Sequence, residues 1–457
     1  MSAPQPTEAT KLLSSGALAH RVDLEYSDVA HSKHTPAQPV AEVTQKPATP
    51  SIHGIEGLRS LCCILILSLH YQDKVGMHDD VKLSPDAATM DLFFWAVLTR
   101  DANFTVDIYF IVAGFVGELG SKSQHSWKFS ECRKVLLKKF IRLAPIYYTC
   151  TLLWLALHYY SVPCHVHTLT VVLHLFMVQA WPVFDGRANV QSHHLFVGYH
   201  SNKEEIHALY GQDECPATTT VTDPAEVNDS TWFVSCLVGC YVIHVLAAPI
   251  LFSKTATRSA TRCAFLSLLF ACARAMQYDR GGQTPGWPIM WMSKWPPCAY
   301  CAFAAGGYAA RLVQQLPTSV LDSRAWIFMD SALLALWAKA LHVTSIEDPE
   351  NLTDHFDWLD ATQPLICVFL VAACATNKGI VLQYLSHPAL VSLGPISYAT
   401  YCVQGPVFDF MGGMNFNFKL YHVVITFFFL VWTLGGVITK YIDNPVRKFL
   451  MKRCLAT

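Results

Sequence analysis

Long apolar stretches follow one another after residue 50, and they constrain the fold of this chain more than any other feature. They lie approximately at 57–72, 90–119, 143–161, 169–182, 232–252, 260–276, 288–313, 325–343, 364–376, 388–410 and 420–439. Several reach the roughly 17 residues that a membrane-spanning helix needs. Only 15% of the residues are charged, against about 25% in soluble domains. We therefore expect an all-α fold, that of a polytopic membrane protein with about 9–11 transmembrane helices.

The distribution of charge predicts the orientation in the membrane and the classes of partner. The segment 121–142 is rich in Lys and Arg and holds Glu131 as its only acidic residue, and the C-terminal end is also basic. By the positive-inside rule both face the cytosol. The net charge of −1 leaves no basic stripe for nucleic acid, so the expected surroundings are a lipid bilayer and not a nucleic acid.

Composition also divides the chain. Residues 1–50 are rich in Ser, Thr, Pro and Ala without apolar periodicity, which predicts a disordered cytosolic tail. Residues 51–450 form the predicted membrane domain, and 451–457 form a short cytosolic tail. The polar segment 183–231 contains the sequon Asn228-Asp229-Ser230, so Asn228 is a glycosylation site if this loop is luminal. We expect an endomembrane or plasma-membrane location.

The first apolar stretch, "GLRSLCCILILSLHYQDK", holds two ionisable residues on one helical face. Arg59 and His70 are eleven positions apart, which is roughly 1100°, or three turns plus ~20°. The helical rise separates them by roughly 16 Å, about half a bilayer. An ionisable residue within a spanning segment indicates function by default. The alternatives are a neutral histidine bonded to a neighbouring helix and an arginine that anchors the helix at the cytosolic surface.

Two further segments carry ionisable candidates. Asp107, in "NFTVDIYFIVAGF", could orient the histidine or bind a substrate hydroxyl, and it could equally be a polar contact between helices. In "KKFIRLAPIYY", Lys138 and Lys139 lie three to four residues before Arg142, a spacing that groups them on a helix surface. Such a group suits phosphates, particularly those of a nucleotide. The alternative is ordinary positive-inside charge.

The segment "SLGPISYATYCVQGPVFDF" is unusually polar for a spanning helix. Tyr398 and Tyr401 are candidate hydrogen-bond donors to a substrate oxygen, with aromatic packing as the alternative, and Gln404 joins them as a candidate substrate-binding residue. His174 and His244 have no polar partner nearby in sequence, and we expect them to be structural. The 16 cysteines are scattered and predict neither a disulfide framework nor a metal site.

Together these segments resemble the membrane-integral acyltransferases called type three. "HGIEGLRSLCCILILSLH" is similar to the first helix of that family, in which ten residues separate a cation from a histidine. "VDIYFIVAGFVGELG", "KKFIRLAPIYY", "AYCAFAAGGYAARL", "LGPISYATYCVQGPV" and "YIDNPVRKFL" resemble later segments, in order, from about residue 52 to 450. The resemblance implies transfer of an acyl group, with acetyl expected, from acyl-CoA to a hydroxyl of a sugar, lipid or small metabolite. Acyl-CoA would be a co-substrate, and no bound cofactor is expected.

The resemblance also implies roles for individual residues. His70 would be the general base, with Asp107 orienting it. Arg59 would neutralise CoA phosphates or polarise the thioester carbonyl. Lys139 and Arg142 would hold the CoA phosphates at the cytosolic mouth.

The chain departs from the family pattern in ways that keep alternatives open. Lys139 replaces an arginine, Leu237 stands where an acid is expected, and Gln404 stands where a histidine is frequent. The alternatives are a transporter of small organic anions and an inactive relative of the family. We expect a stand-alone, eukaryotic-like member.

Overall fold

Helices make up every regular element of the residues that the structure describes. The computed structural model describes residues 53–75, 103–119, 128–161, 168–179, 231–252, 256–279, 296–321, 324–346, 358–376, 379–413 and 420–455. The predicted tail at 1–50 and the predicted glycosylation site at Asn228 lie outside these residues, so both stay predictions.

The helices are defined by their order along the chain. They are α1 (His53–Val75), α2 (Asn103–Leu119), α3 (Phe129–Ser161), α4 (Thr168–Leu175), α5 (Trp232–Leu251), α6 (Ala256–Asp279), α7 (Pro296–Gln315), α8 (Thr318–Leu321), α9 (Ala325–Ile346), α10 (Trp358–Cys374), α11 (Ile380–Leu385), α12 (Pro388–Leu393), α13 (Ser397–Gly413), α14 (Leu420–Ile438) and α15 (Asn444–Leu455). A 3-10 turn, Gly394–Ile396, precedes α13, and a π-helical segment, Thr439–Asp443, joins α14 to α15.

Four helical segments of the described residues are long and apolar enough to cross a membrane. They are His53–Tyr71, Phe129–Leu157, Trp232–Leu251 and Ile425–Cys454. The prediction of an all-α polytopic membrane protein is therefore confirmed. The number of nine to eleven spans stays a prediction, because several of the apolar stretches include residues outside the described part of the chain.

Helices α2 and α7 pack closely against each other and touch through small residues. A Cβ at Gly114 would overlap the backbone carbonyl of Phe303, and a Cβ at Gly306 would overlap that of Ile111. Helices in a bilayer gain little from hydrophobic exclusion of lipid, so close backbone approach through glycine and alanine is a main source of their attraction. Helices α5, α6 and α10 also pack against this pair.

Helix α1 is held by polar contacts to its neighbours. The Ser60 hydroxyl donates to the carbonyl of Leu390 at 2.6 Å, and the Cys63 thiol donates to that of Ser397 at 3.5 Å. The phenol of Tyr109 donates to the carbonyl of Arg59 at 2.7 Å. These bonds join α1 to α12, to the start of α13 and to α2, so they fix its rotation about its own axis.

Helix α3 is longer than a membrane span requires. Its 33 residues are about 50 Å long, against a hydrocarbon thickness of ~30 Å. Its first turns are largely exposed, whereas a buried stretch begins at Leu143. Pro145 lies inside the helix and cannot donate a backbone hydrogen bond, and the Thr149 hydroxyl donates to its carbonyl at 2.7 Å. The basic residues of α3 therefore lie where the helix enters the bundle.

Candidate active site

The structure brings His70 and Tyr401 together. The centroids of their rings are 6.3 Å apart, with an angle of 47° between the ring planes. Tyr401 is buried and His70 is half-buried. Helix α1 supplies the imidazole and α13 supplies the phenol ring. Two candidate residues that are 331 positions apart in sequence therefore lie side by side.

An aromatic layer continues from Tyr401 across the bundle. The Phe233 ring packs edge-on against Tyr401 at 5.7 Å, and it also contacts Phe110 at 4.7 Å and Tyr109 at 5.9 Å. We call these four residues of α2, α5 and α13 the aromatic layer. Aromatic pairs at these separations stabilise each other beyond the area that they bury. Sequence reasoning missed Phe233, since nothing in "STWFVSC" distinguishes it from other apolar residues.

Arg59 lies at the other end of this layer. Its guanidinium forms an ion pair with Glu56 at 3.0 Å, and its backbone carbonyl accepts the bond from Tyr109. The aromatic layer therefore reaches α1 at both residues that sequence analysis selected on that helix: it contacts Arg59 through Tyr109 and His70 through Tyr401.

Three cations of α1 and α3 lie near one tyrosine of α5. The Lys139 ammonium lies 5.0 Å from the centroid of the Tyr241 ring, and Arg59 and Arg142 are both close enough to act electrostatically on its phenol group. We call Arg59, Lys139 and Arg142 the basic cluster. Like charges at short range repel, and a bound anion relieves that repulsion. The arrangement can therefore bind a phosphate group.

Tyr398 has a different position from Tyr401. Its hydroxyl donates to the backbone carbonyl of Leu143 at 3.2 Å, and Leu143 follows Arg142 directly. This bond ties the start of α13 to the basic segment of α3. Arg142 also interacts electrostatically with Asp443, whose carboxylate lies 3.8 Å from the guanidinium of Arg447. Tyr398 can position the basic cluster, whereas its expected contact with substrate stays a prediction.

Asp107 is buried on α2, one turn before Phe110 of the aromatic layer. It is 7% exposed and interacts electrostatically with Cys236 of α5. Asp107 is therefore close in sequence to Tyr109 and Phe110, the two residues of α2 that Phe233 contacts. The orientation of His70 by Asp107 stays a prediction.

Gln404 lies three residues after Tyr401 on α13, and it is 1% exposed. Neither its amide oxygen nor its amide nitrogen has a hydrogen-bond partner among the described residues. A buried amide in this state is uncommon in folded proteins. Leu237, at the position where an acid was expected, is a buried apolar residue of α5.

A buried charged group that the sequence analysis did not select lies near the basic cluster. The Arg311 guanidinium of α7 donates to one carboxylate oxygen of Glu118, and His244 Nε2 lies 3.7 Å from the other oxygen. Glu118 is fully buried, and Lys139 also interacts with it electrostatically. The signal that could have identified Glu118 is a carboxylate at the end of an apolar stretch.

The two histidines expected to be structural both have partners. His244 belongs to the Glu118 group, and His174 Nδ1 lies 2.8 Å from the Tyr147 hydroxyl. No three His, Cys, Asp or Glu side chains of the described residues lie together in a geometry that could hold a metal ion.

Comparison with known proteins identifies the family of this chain. The family model described as an acyltransferase domain, of the acyltransferase type three family, matches residues 52–442. This range includes every residue of the basic cluster, the aromatic layer and His70. No curated protein and no solved structure matched the chain. Since the family model covers most of the chain, the protein belongs to the membrane-integral acyltransferases of type three.

Proposed function

We propose that this protein transfers an acyl group, with acetyl expected, from acyl-CoA to a hydroxyl group of a sugar, lipid or small metabolite. The observation that carries the proposal is the continuity from the basic cluster, through the aromatic layer, to His70. Acyl-CoA has the same layout, because a long arm separates its phosphates from its reactive thioester. The helical rise puts Arg59 and His70 roughly 16 Å apart, so one extended donor can span both.

His70 is the proposed general base. It removes the proton from the acceptor hydroxyl, and the oxygen attacks the thioester carbonyl carbon. A carbon–oxygen bond forms, the carbon–sulfur bond breaks, and the CoA thiolate takes the proton back from the imidazolium. Such catalysis contributes about 10²–10⁴-fold to a rate. The half-buried position of His70 beside Tyr401 supports this role, since the ring is oriented by packing and still accessible.

The basic cluster is the proposed site for the phosphates of CoA. Glu56 neutralises part of the Arg59 charge, whereas Lys139 and Arg142 repel each other across a short distance. Guanidinium and ammonium groups bind phosphate oxygens through charge-assisted hydrogen bonds. The positive-inside rule predicts that this end of the bundle faces the cytosol, so the donor would bind from that side.

The test is turnover of radiolabelled acetyl-CoA by membranes that contain the full chain, with His70→Ala compared with the unchanged protein at equal protein levels. The matched control is His53→Ala, since His53 is an exposed histidine at the start of the same helix. We expect acetyl transfer to fall at least about 10²-fold in His70→Ala and to persist in His53→Ala. Equal labelling of all three proteins at the background level would contradict the role of His70 and favour a transporter or an inactive relative.

A further inference from the structure

The amide of Gln404 is a buried polar group that no described contact explains. Both of its polar atoms lack partners among the described residues, although the side chain is 1% exposed. Burying an amide without hydrogen bonds costs free energy, and a polar ligand that supplies the missing bonds recovers it. The protein therefore keeps, in its apolar interior, one hydrogen-bond donor group and one acceptor for which the described chain provides no partner.

The position of Gln404 on α13 determines what the amide faces. Tyr401, Gln404 and Phe408 fall within ~60° of one another around the helix. Tyr401 contacts His70, and Phe408 contacts Tyr71 at 6.1 Å. Along the helix axis Gln404 lies between these two residues, and its helical position is within ~60° of both, so it lies on the side of α13 that faces α1.

Tyr71 adds a second buried polar atom at this level. Its side chain is 2% exposed, its ring contacts Phe427 at 5.4 Å, and its hydroxyl has no partner among the described residues. Apolar residues of similar shape at Gln404 and Tyr71 would avoid the free-energy cost of burying the amide and the hydroxyl without hydrogen bonds. Two such groups next to the candidate general base point to a polar ligand between α1 and α13.

We propose that Gln404 is a specificity-determining residue that binds a second hydroxyl of the acceptor, next to the hydroxyl that His70 deprotonates. The inference rests on the proposed function. An amide offers a donor and an acceptor, and a hydroxyl is both a donor and an acceptor, so one neighbouring hydroxyl pairs with either end of the amide. An acceptor with a single hydroxyl uses its oxygen at His70 and leaves the amide unpaired. The site therefore selects compounds with adjacent hydroxyls over simple alcohols.

The experiment compares two probes, cis-1,2-cyclohexanediol and cyclohexanol, on the purified full chain in detergent. The first readout is the shift in Tm with probe concentration, and the second is acetyl transfer from radiolabelled acetyl-CoA to each probe. We expect the diol to raise Tm and the mono-alcohol to leave it unchanged. We expect kcat/KM for the diol to exceed that for the mono-alcohol by at least about tenfold, since a site built around a hydroxyl discriminates strongly against its absence.

Gln404→Leu is the decisive variant, because it keeps the size of the side chain and removes both polar atoms. We expect it to raise the Tm of the free protein, since the unpaired amide is gone, and to abolish the preference for the diol. Gln383→Leu is the matched control, because Gln383 is an exposed glutamine on α11, and it should behave as the unchanged protein. Tyr71→Phe should weaken the diol preference without lowering the Tm of the free protein.

The inference is overturned if the diol and the mono-alcohol shift Tm equally, or if Gln404→Leu retains the diol shift. The two readouts separate its failure from that of the proposed function. A diol-specific shift in Tm without acetyl transfer would contradict the acyltransferase activity alone. Acetyl transfer to both probes at equal rates would contradict the role of Gln404 alone.

Discussion

The imidazole of His70 lies beside the phenol ring of Tyr401, with 6.3 Å between the ring centroids. Phe233 packs on Tyr401 and the layer continues to Tyr109, whose hydroxyl bonds to Arg59. His70 is therefore part of a packed layer and not an isolated polar group in an apolar helix. Packing against this layer can hold the imidazole ring in one orientation for proton transfer.

Substitution of Tyr401 separates the packing of this layer from the chemistry of the hydroxyl. Tyr401→Phe keeps the ring, so we expect an unchanged Tm and a loss of about tenfold in acetyl transfer, which is the effect of one hydrogen bond of about 1.4 kcal/mol to substrate. Tyr401→Ala removes the ring and should cost about 3–5 kcal/mol of stability. Initial rates and thermal unfolding measure the two effects. Full activity in Tyr401→Phe would exclude a bond from this hydroxyl to substrate.

The basic cluster predicts an effect on donor affinity. Lys139 lies over Tyr241 and close to Arg142, whereas its sequence neighbour Lys138 is exposed. Lys139→Met should raise KM for acetyl-CoA about tenfold with little change in kcat, since loss of a phosphate contact of about 1.4 kcal/mol weakens binding by that factor. Lys138→Met changes the same charge outside the cluster and should leave KM unchanged. Steady-state kinetics in membranes provide the measurement. If the two substitutions change KM equally, Lys139 has no specific contact with the donor and both lysines act only as surface charge.

Part of this site was predictable from the sequence because it depends on one helix at a time. Apolar length predicts the spans, and the period of 3.6 residues puts Arg59 and His70 on one face of α1. The spacing of Lys139 and Arg142 likewise depends only on local helical geometry.

The remainder depends on which helices become neighbours. Glu118 and Arg311 are 193 residues apart in sequence, and no local pattern predicts that they pair. His244 was expected to have a structural role alone for the same reason, since its partner Glu118 lies on another helix. Phe233 connects α2 to α13, and an aromatic residue in an apolar stretch gives no sign of such a position.

The contact between α2 and α7 predicts a strong effect of a single methyl group. A Cβ at Gly114 would overlap the Phe303 carbonyl, whereas nothing lies within 4 Å of a Cβ at Gly436. Gly114→Ala should therefore destabilise the protein by about 1–3 kcal/mol, as overpacking does. Gly436→Ala should be neutral or slightly stabilising, because alanine favours the helix. Thermal unfolding of the two variants in detergent tests this, and equal Tm values would mean that the helices can separate without cost.

The buried group of Glu118, Arg311 and His244 predicts non-additive effects on stability. Glu118→Leu leaves the half-buried Arg311 guanidinium without the carboxylate that it contacts, and such a loss costs about 3–5 kcal/mol. Arg311→Met should cost a similar amount, because the fully buried carboxylate then loses the guanidinium that donates to it. The double variant removes both charges, and replacement of a buried ion pair by apolar residues is often neutral. We therefore expect the double variant to be more stable than either single variant. A double-mutant cycle of Tm values measures the coupling, and simple addition of the two losses would show that the pair contributes no interaction of its own.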